Sequence, residues 1–193
     1  MPAPANYKQV IQIYEQSAPE IQNYFRGLPK LIEDYDWIVP LSFVFARIET
    51  VKHTSLHCGL VKLHELDTKL TRSLLDKDHM SRSRFRELFK VIFAKNIPDE
   101  LCTLLADAEA IRDKAAHGKV LSQKQAREGL AGALSFAKGF NEFVKQVGGF
   151  HPFGDLRGFK GAARPLKAET TRWVLKGMGI PQPRKGNDKY TDD

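Results

Sequence analysis

Arg112, Asp113 and His117 are the residues of this chain whose types and spacing best suit proton transfer beside an anion; they lie in Ile111-Arg112-Asp113-Lys114-Ala115-Ala116-His117-Gly118. An imidazole titrates near neutrality and serves as general acid or base. A guanidinium stays charged and presents a planar fork to phosphate oxygens. Upstream, Leu101, Leu104, Leu105, Ala108, Ile111 and Ala115 recur at helical spacing, and a 3.6-residue turn puts Arg112 between Leu101 and Leu105 on that stripe. Arg112 is therefore expected to point toward packing. Gly118 stands where a left-handed cap closes a helix, which places His117 at the helix mouth beside the loop. Lys114 and Lys119 flank it as candidate contacts to a polyanion. A purely structural alternative has Arg112 paired with Asp113 or Glu109 at the end of a bundle and His117 doing no more than capping the helix.

The elements that must position this motif read as helix after helix. Amphipathic segments span about residues 7–17 and 19–34, the second interrupted by Gly27 and Pro29, and a long helix is expected from Pro40 to about Leu75. A charged break at residues 76–79 leads through Ser81 into a helix carrying Phe85, Leu88, Phe89, Ile92 and Phe93. Pro98 opens the motif helix, with Asp99 and Glu100 at the positive end of its dipole. Ser122 with Gln125 forms a capping-box pattern at the start of the next helix. That helix carries Ala126, Leu130, Ala133, Ala137, Phe140, Val144 and Val147 as a heptad-type seam. Gly129, Ala131, Gly132, Ala133 and Gly139 make it small-sided, as suits close approach of two backbones, either inside the bundle or across a dimer. Short connections imply antiparallel neighbours, hence an all-α, up-and-down bundle of about four to six helices.

The sequence is expected to divide into a bundle over residues 1–148 and a Gly-, aromatic- and basic-rich extension over 149–193. The extension includes one short helix around residues 167–176 and is expected to be disordered from Pro181 onward. A formal charge of +7 and a pI of about 9.4 favour a polyanionic partner. Two cysteines, Cys58 and Cys102, make neither a disulfide framework nor a Cys-based zinc cluster and fit a reducing cytoplasm. The longest apolar run, residues 37–46, is broken by Pro40 and Ser42 and falls far short of the roughly 20 residues that span a bilayer, so no membrane partner is expected. His53, His57 and His64 project within about 40° of one another on the long helix. No carboxylate shares their stripe, so they read as a polar flank, and neither metal nor cofactor is expected. Arg82, Arg84 and Arg86 read as a solvated helix start or as phosphate contacts. The tail aromatics Phe150, Phe153, Phe159 and Trp173 either pin the tail to the bundle or stack single-stranded bases.

On the residues Arg112, Asp113 and His117, followed by Gly118, the sequence resembles the HEPN superfamily, all-helical domains whose ribonuclease members carry Arg, then a polar residue, then His after four to six intervening positions. The resemblance covers about residues 7–148. It implies a metal-independent endoribonuclease, plausible as a toxin or defence effector restrained by an antitoxin or other regulatory protein. It also implies a homodimer in which two motifs face one cleft and supply a second imidazole and guanidinium, with Arg112, Asp113 and His117 catalytic and Asp113 orienting one of the others. Two other readings remain open: a catalytically silent module that binds RNA, nucleotide or a protein, and a structural dimerisation bundle.

Overall fold

The computed structural model describes residues 4–156, 159 and 161–182. Among these residues it is entirely helical, with nine helices and no strand. The all-α class is as the periodicity indicated. The helices outnumber the expected four to six because segments read as continuous are divided. The 19–34 segment becomes α2 (Pro19–Tyr24) and α3 (Leu28–Asp34), following α1 (Tyr7–Glu15). The long helix is α4 (Ile38–Leu63), and it stops before α5 (Thr68–Leu75). Glu65 takes a left-handed φ of 57°, and the Asp67 side chain accepts a 2.7 Å hydrogen bond from the Leu70 amide as the N-cap of α5. The apolar positions run straight through this break, so the pattern conceals it.

The chain forms two compact units. One consists of Met1–Lys52 with Ile97–Arg157, and so holds α1 to α3, the first half of α4, α7 (Asp99–Ala116) and α8 (Gln123–Gly148). Its centre is a close antiparallel pair. A Cβ on Gly129 would meet Ile111, one on Gly132 would meet Ala108, and one on Gly139 would lie 2.4 Å from Leu101, so the small residues of α8 run against α7 in reverse order. The small-sided seam is thus filled by the chain's own motif helix. The capping box at Ser122 and Gln125 is formed, and Gly149 closes α8 at a φ of 71°. Leu41, Val44, Phe45 and Ile48 of α4 are buried with Leu105 and Ala108 of α7 and Leu130, Ala133, Leu134, Ala137 and Phe140 of α8. The Arg127 Nε–H donates to the Pro4 carbonyl at 2.9 Å, tying the N-terminal segment to α8. Phe150 and Phe153 are buried, and Phe153 packs edge-on to Tyr24 at 5.3 Å, so they pin the start of the C-terminal region.

The other unit consists of His53–Asn96 with Gly158–Asp193 and holds the second half of α4, α5, α6 (Arg82–Phe93) and α9 (Ala168–Gly177). Ser81 caps α6 as expected, accepting from the Arg84 amide at 3.2 Å, and Phe89 and Phe93 stack at 4.3 Å. α9 packs on α5, burying Thr171 and Leu175, and the Asp67 amide donates to Thr171 Oγ1 at 3.1 Å. Trp173 faces outward and is 70% exposed, so it does not pin the tail. The segment expected to be disordered falls, from residue 183 onward, outside the described residues.

Candidate functional site at the end of α7

Asp99 and Glu100 in its first turn start α7 well, and the helix then buries Leu105, Ala108 and Glu109. Arg112 follows one turn after Glu109. Its guanidinium carbon sits 5.0 Å from the centre of the Phe45 ring, and its Nε lies 2.8 Å from Asp113 Oδ1. Among the described residues no acceptor lies in line with the buried Nε–H, so the Asp113 contact is ionic rather than a formed hydrogen bond. The Arg112 side chain is 32% exposed and that of Asp113 50%. A pair this open contributes about 0.2–1 kcal/mol, comparable with an exposed cation–π contact, so neither ties up the guanidinium strongly. The side chain is thus part-packed and part-exposed, with Nε itself buried.

His117 is the C-cap residue of α7, and its amide donates to the Asp113 carbonyl at 3.0 Å. Gly118 has a φ of 74°, the left-handed conformation that glycine adopts without a Cβ clash. The Gly118 amide donates to Ala115 and the Lys119 amide to Lys114, both at 3.0 Å, so backbone hydrogen bonds close the helix end and leave the His117 ring exposed. Lys114 and Lys119 are exposed on either side of it, and Val120 in the same turn is 97% exposed. Five residues along an α-helix amount to about 7.5 Å of rise and roughly 140° of rotation. Arg112 and His117 of one chain therefore share a helix end without facing one direction.

Of the histidines read as a polar flank, His53 and His64 are half-buried, whereas His57 departs from that reading. His57 is buried and its Nε2–H donates to the Thr68 carbonyl at 3.2 Å, while the His64 Nε2–H donates to the Ile92 carbonyl at 2.8 Å. They tie the end of α4 to the start of α5 and the end of α6. Burial pushes the His57 pKa below the usual imidazole value, partly opposed by the Thr68 carbonyl. No cluster of three or more His, Cys, Asp or Glu that could hold a metal occurs among the described residues. Burial pushes the Cys58 thiol up to about 11, which leaves it no useful thiolate at neutral pH.

One polar group was not foreseen from the sequence. His151 Nδ1 lies 2.9 Å from Asn141 Nδ2 and 3.3 Å from Glu20 Oε1, and the Phe153 amide donates to Asn141 Oδ1 at 3.4 Å. A fully buried Asn in the apolar stripe of α8 was the signal that could have found it. Its bonds hold the turn after α8 in place. No helix among the described residues is long and apolar enough to cross a membrane. No protein-family model, curated protein or solved structure matches this chain.

Proposed function

We propose that the end of α7 is the active site of a metal-independent endoribonuclease, with Arg112, Asp113 and His117 in the catalytic roles. One observation carries this reading: a guanidinium packed over Phe45 in a part-exposed side chain, held beside Asp113, at the same helix end as an exposed imidazole. Internal cleavage of RNA needs a base for the ribose 2′-OH, an acid for the leaving 5′-oxygen and positive charge on the pentavalent transition state. His117 moves the proton and Arg112 binds the phosphate oxygens, with Asp113 steadying the guanidinium. Lys114 and Lys119 supply backbone contacts to the RNA.

The roughly 140° between Arg112 and His117 along the helix favours a composite site, in which Arg112 of one copy meets His117 of another. Because α7 fills the small-residue seam of α8, a second copy would meet this one at the α7–α8 turn, where Val120 is 97% exposed. A cytoplasmic toxin or defence role with a restraining partner protein is part of the same proposal and rests on the family resemblance. The test is incubation of purified protein with RNA in EDTA. Cleavage leaving a 2′,3′-cyclic phosphate and lost in His117→Ala supports the reading. Cleavage that EDTA abolishes, or that His117→Ala retains, overturns it. A second reading is favoured by the engagement of Arg112 with Asp113 and Phe45: a silent helical module that binds RNA, nucleotide or a protein without cutting. Intact RNA after incubation, together with salt-sensitive retention of it, would select that reading.

A further inference from the structure

One ring nitrogen of His151 faces two groups that cannot both bond to it in the same protonation state. Asn141 Nδ2, a donor, lies 2.9 Å from Nδ1, and Glu20 Oε1, an acceptor, lies 3.3 Å from it. Nδ1 carries either a lone pair or a proton. With the lone pair it accepts from Asn141 and has nothing to give Glu20. With the proton it donates to Glu20 and sets an N–H against the amino group of Asn141.

The other bond of Asn141 decides which way its amide points. Asn141 Oδ1 accepts from the Phe153 amide at 3.4 Å, which leaves the amino group for His151 and makes the neutral ring the Nε2–H tautomer. Asn141 is fully buried, whereas the side chains of His151 and Glu20 are 28% and 24% exposed, so water reaches the groups that titrate. The turn closes tightly around them. The Gly154 amide donates to the His151 carbonyl at 3.0 Å, and a Cβ on Gly154 would lie 3.9 Å from Glu20 Cγ. The Phe153 ring in turn meets Tyr24 at 5.3 Å and Phe25 at 5.7 Å. Glu20 is the one charged group paired with the ring among the described residues. Lys138, Glu142 and Lys145 of α8 and Asp155 of the turn are exposed, and Arg47 of α4 lies over Tyr24, 4.9 Å from its ring centre.

We propose that His151 is a pH-operated latch on the turn after α8. While the ring is neutral, Asn141 holds both the ring and the Phe153 amide, and the turn is fastened to α8. Protonation hands the ring to the Glu20 carboxylate on α2. The buried amino group of Asn141 then lacks an acceptor, a costly state that is relieved when the side-chain amide turns over and offers Oδ1 to the ring. That turn releases the Phe153 amide. Imidazoles as a class change charge between about pH 5 and pH 8, which sets the window for the exchange. The latch stands whether or not the end of α7 cleaves RNA.

The experiment is heteronuclear NMR of the full chain at about pH 8 and about pH 5, reading the His151 tautomer and the hydrogen-exchange protection of the Phe153 amide. At the higher pH the ring should be the Nε2–H tautomer and the Phe153 amide protected. At the lower pH that protection, taken relative to the unstructured exchange rate at the same pH, should fall about threefold to tenfold, the scale of one net hydrogen bond. The Val144 amide of α8 is the reference and should keep its protection. His151→Gln supplies Asn141 with an acceptor that does not titrate, so the Phe153 amide should stay protected at both pH values. Glu20→Gln removes the carboxylate that rewards protonation and should shrink the fall. Circular dichroism of each variant shows whether it is folded. Four results overturn the proposal: an Nδ1–H tautomer at the higher pH, equal protection of Phe153 at both, a loss that Val144 shares, or an undiminished fall in either variant.

Discussion

Arg112 owes its potential to a compromise between burial and exposure. Phe45 covers one face of the guanidinium and Asp113 sits by Nε, so the group is oriented within a side chain that remains part-exposed. Arg112→Lys keeps the charge and gives up the fork and its flat packing on Phe45. RNA cleavage by Arg112→Lys should therefore fall about 10²–10³-fold, nearly as far as in Arg112→Ala, with circular dichroism unchanged in both. Loss of helix in both variants would mark the arginine as structural instead. The half-buried position of Arg112 was legible in its place on the apolar stripe, and the exposure of His117 in the glycine that follows it. His57 was not legible, because its partner is the Thr68 carbonyl, brought within reach by a helix break that the pattern hides. Burial lowers the folded-state pKa of His57, so the unfolded chain takes up its proton more readily and stability declines as pH falls below about 6.5. The contribution is fully present above that pH. His57→Gln, which retains a donor for the Thr68 carbonyl, should flatten the fall in melting temperature between about pH 7.5 and pH 5.5; an identical fall would show that other groups set the acid response.

Among the elements, α7 and α8 show how glycine placement fixes a helix pair. The small residues of α8 announced a close approach, but sequence could not say whether the opposing helix belonged to the same chain. That helix is α7, which removes the seam as an argument for a dimer. The three glycines are not equivalent. A Cβ on Gly132 would lie 3.4 Å from Ala108 Cβ, an ordinary contact, so Gly132→Ala should raise stability by up to about 1 kcal/mol through helix propensity. On Gly139 it would lie 2.4 Å from Leu101 Cδ2, which costs packing against the same propensity gain, so that variant should come out less stable than Gly132→Ala. Gly59 of α4 is the extreme case, because a Cβ there would lie 2.6 Å from the Phe93 ring and 2.7 Å from Ile92. Overpacking of that kind costs about 1–3 kcal/mol, more than propensity returns, so Gly59→Ala should destabilise. Urea melts of the three variants check the order; equal midpoints would mean that the helices shift apart at little cost.

At the scale of the whole molecule, the path of the chain matters more than any single helix. It passes between the two units at Lys52–His53 inside α4, at residues 96–97 and again at residues 157–158. Neither unit is one continuous stretch. A contrast between a bundle over 1–148 and an appended tail therefore misses what residues after 158 do for α5, since composition shifts there but long-range pairing cannot be read from composition. Thr171 accepts the Asp67 amide at the cap of α5, the Leu166 amide donates to the Glu65 carbonyl at 2.8 Å, and a Cβ on Gly161 would fall 2.5 Å from Val61. Leu175 and Ile180 are buried in the same unit, each contributing about 1.5–3 kcal/mol. A chain ended at residue 156 keeps Phe150 and Phe153, the pins of the α7 unit, but lacks every one of these supports for α5. Hydrogen exchange should then show α7 and α8 nearly as protected as in the full chain, while α5 and the left-handed break at Glu65 lose protection and become the first sites of proteolysis. Undiminished protection of α5 in the shortened chain would show that α9 rests on this unit without holding it together.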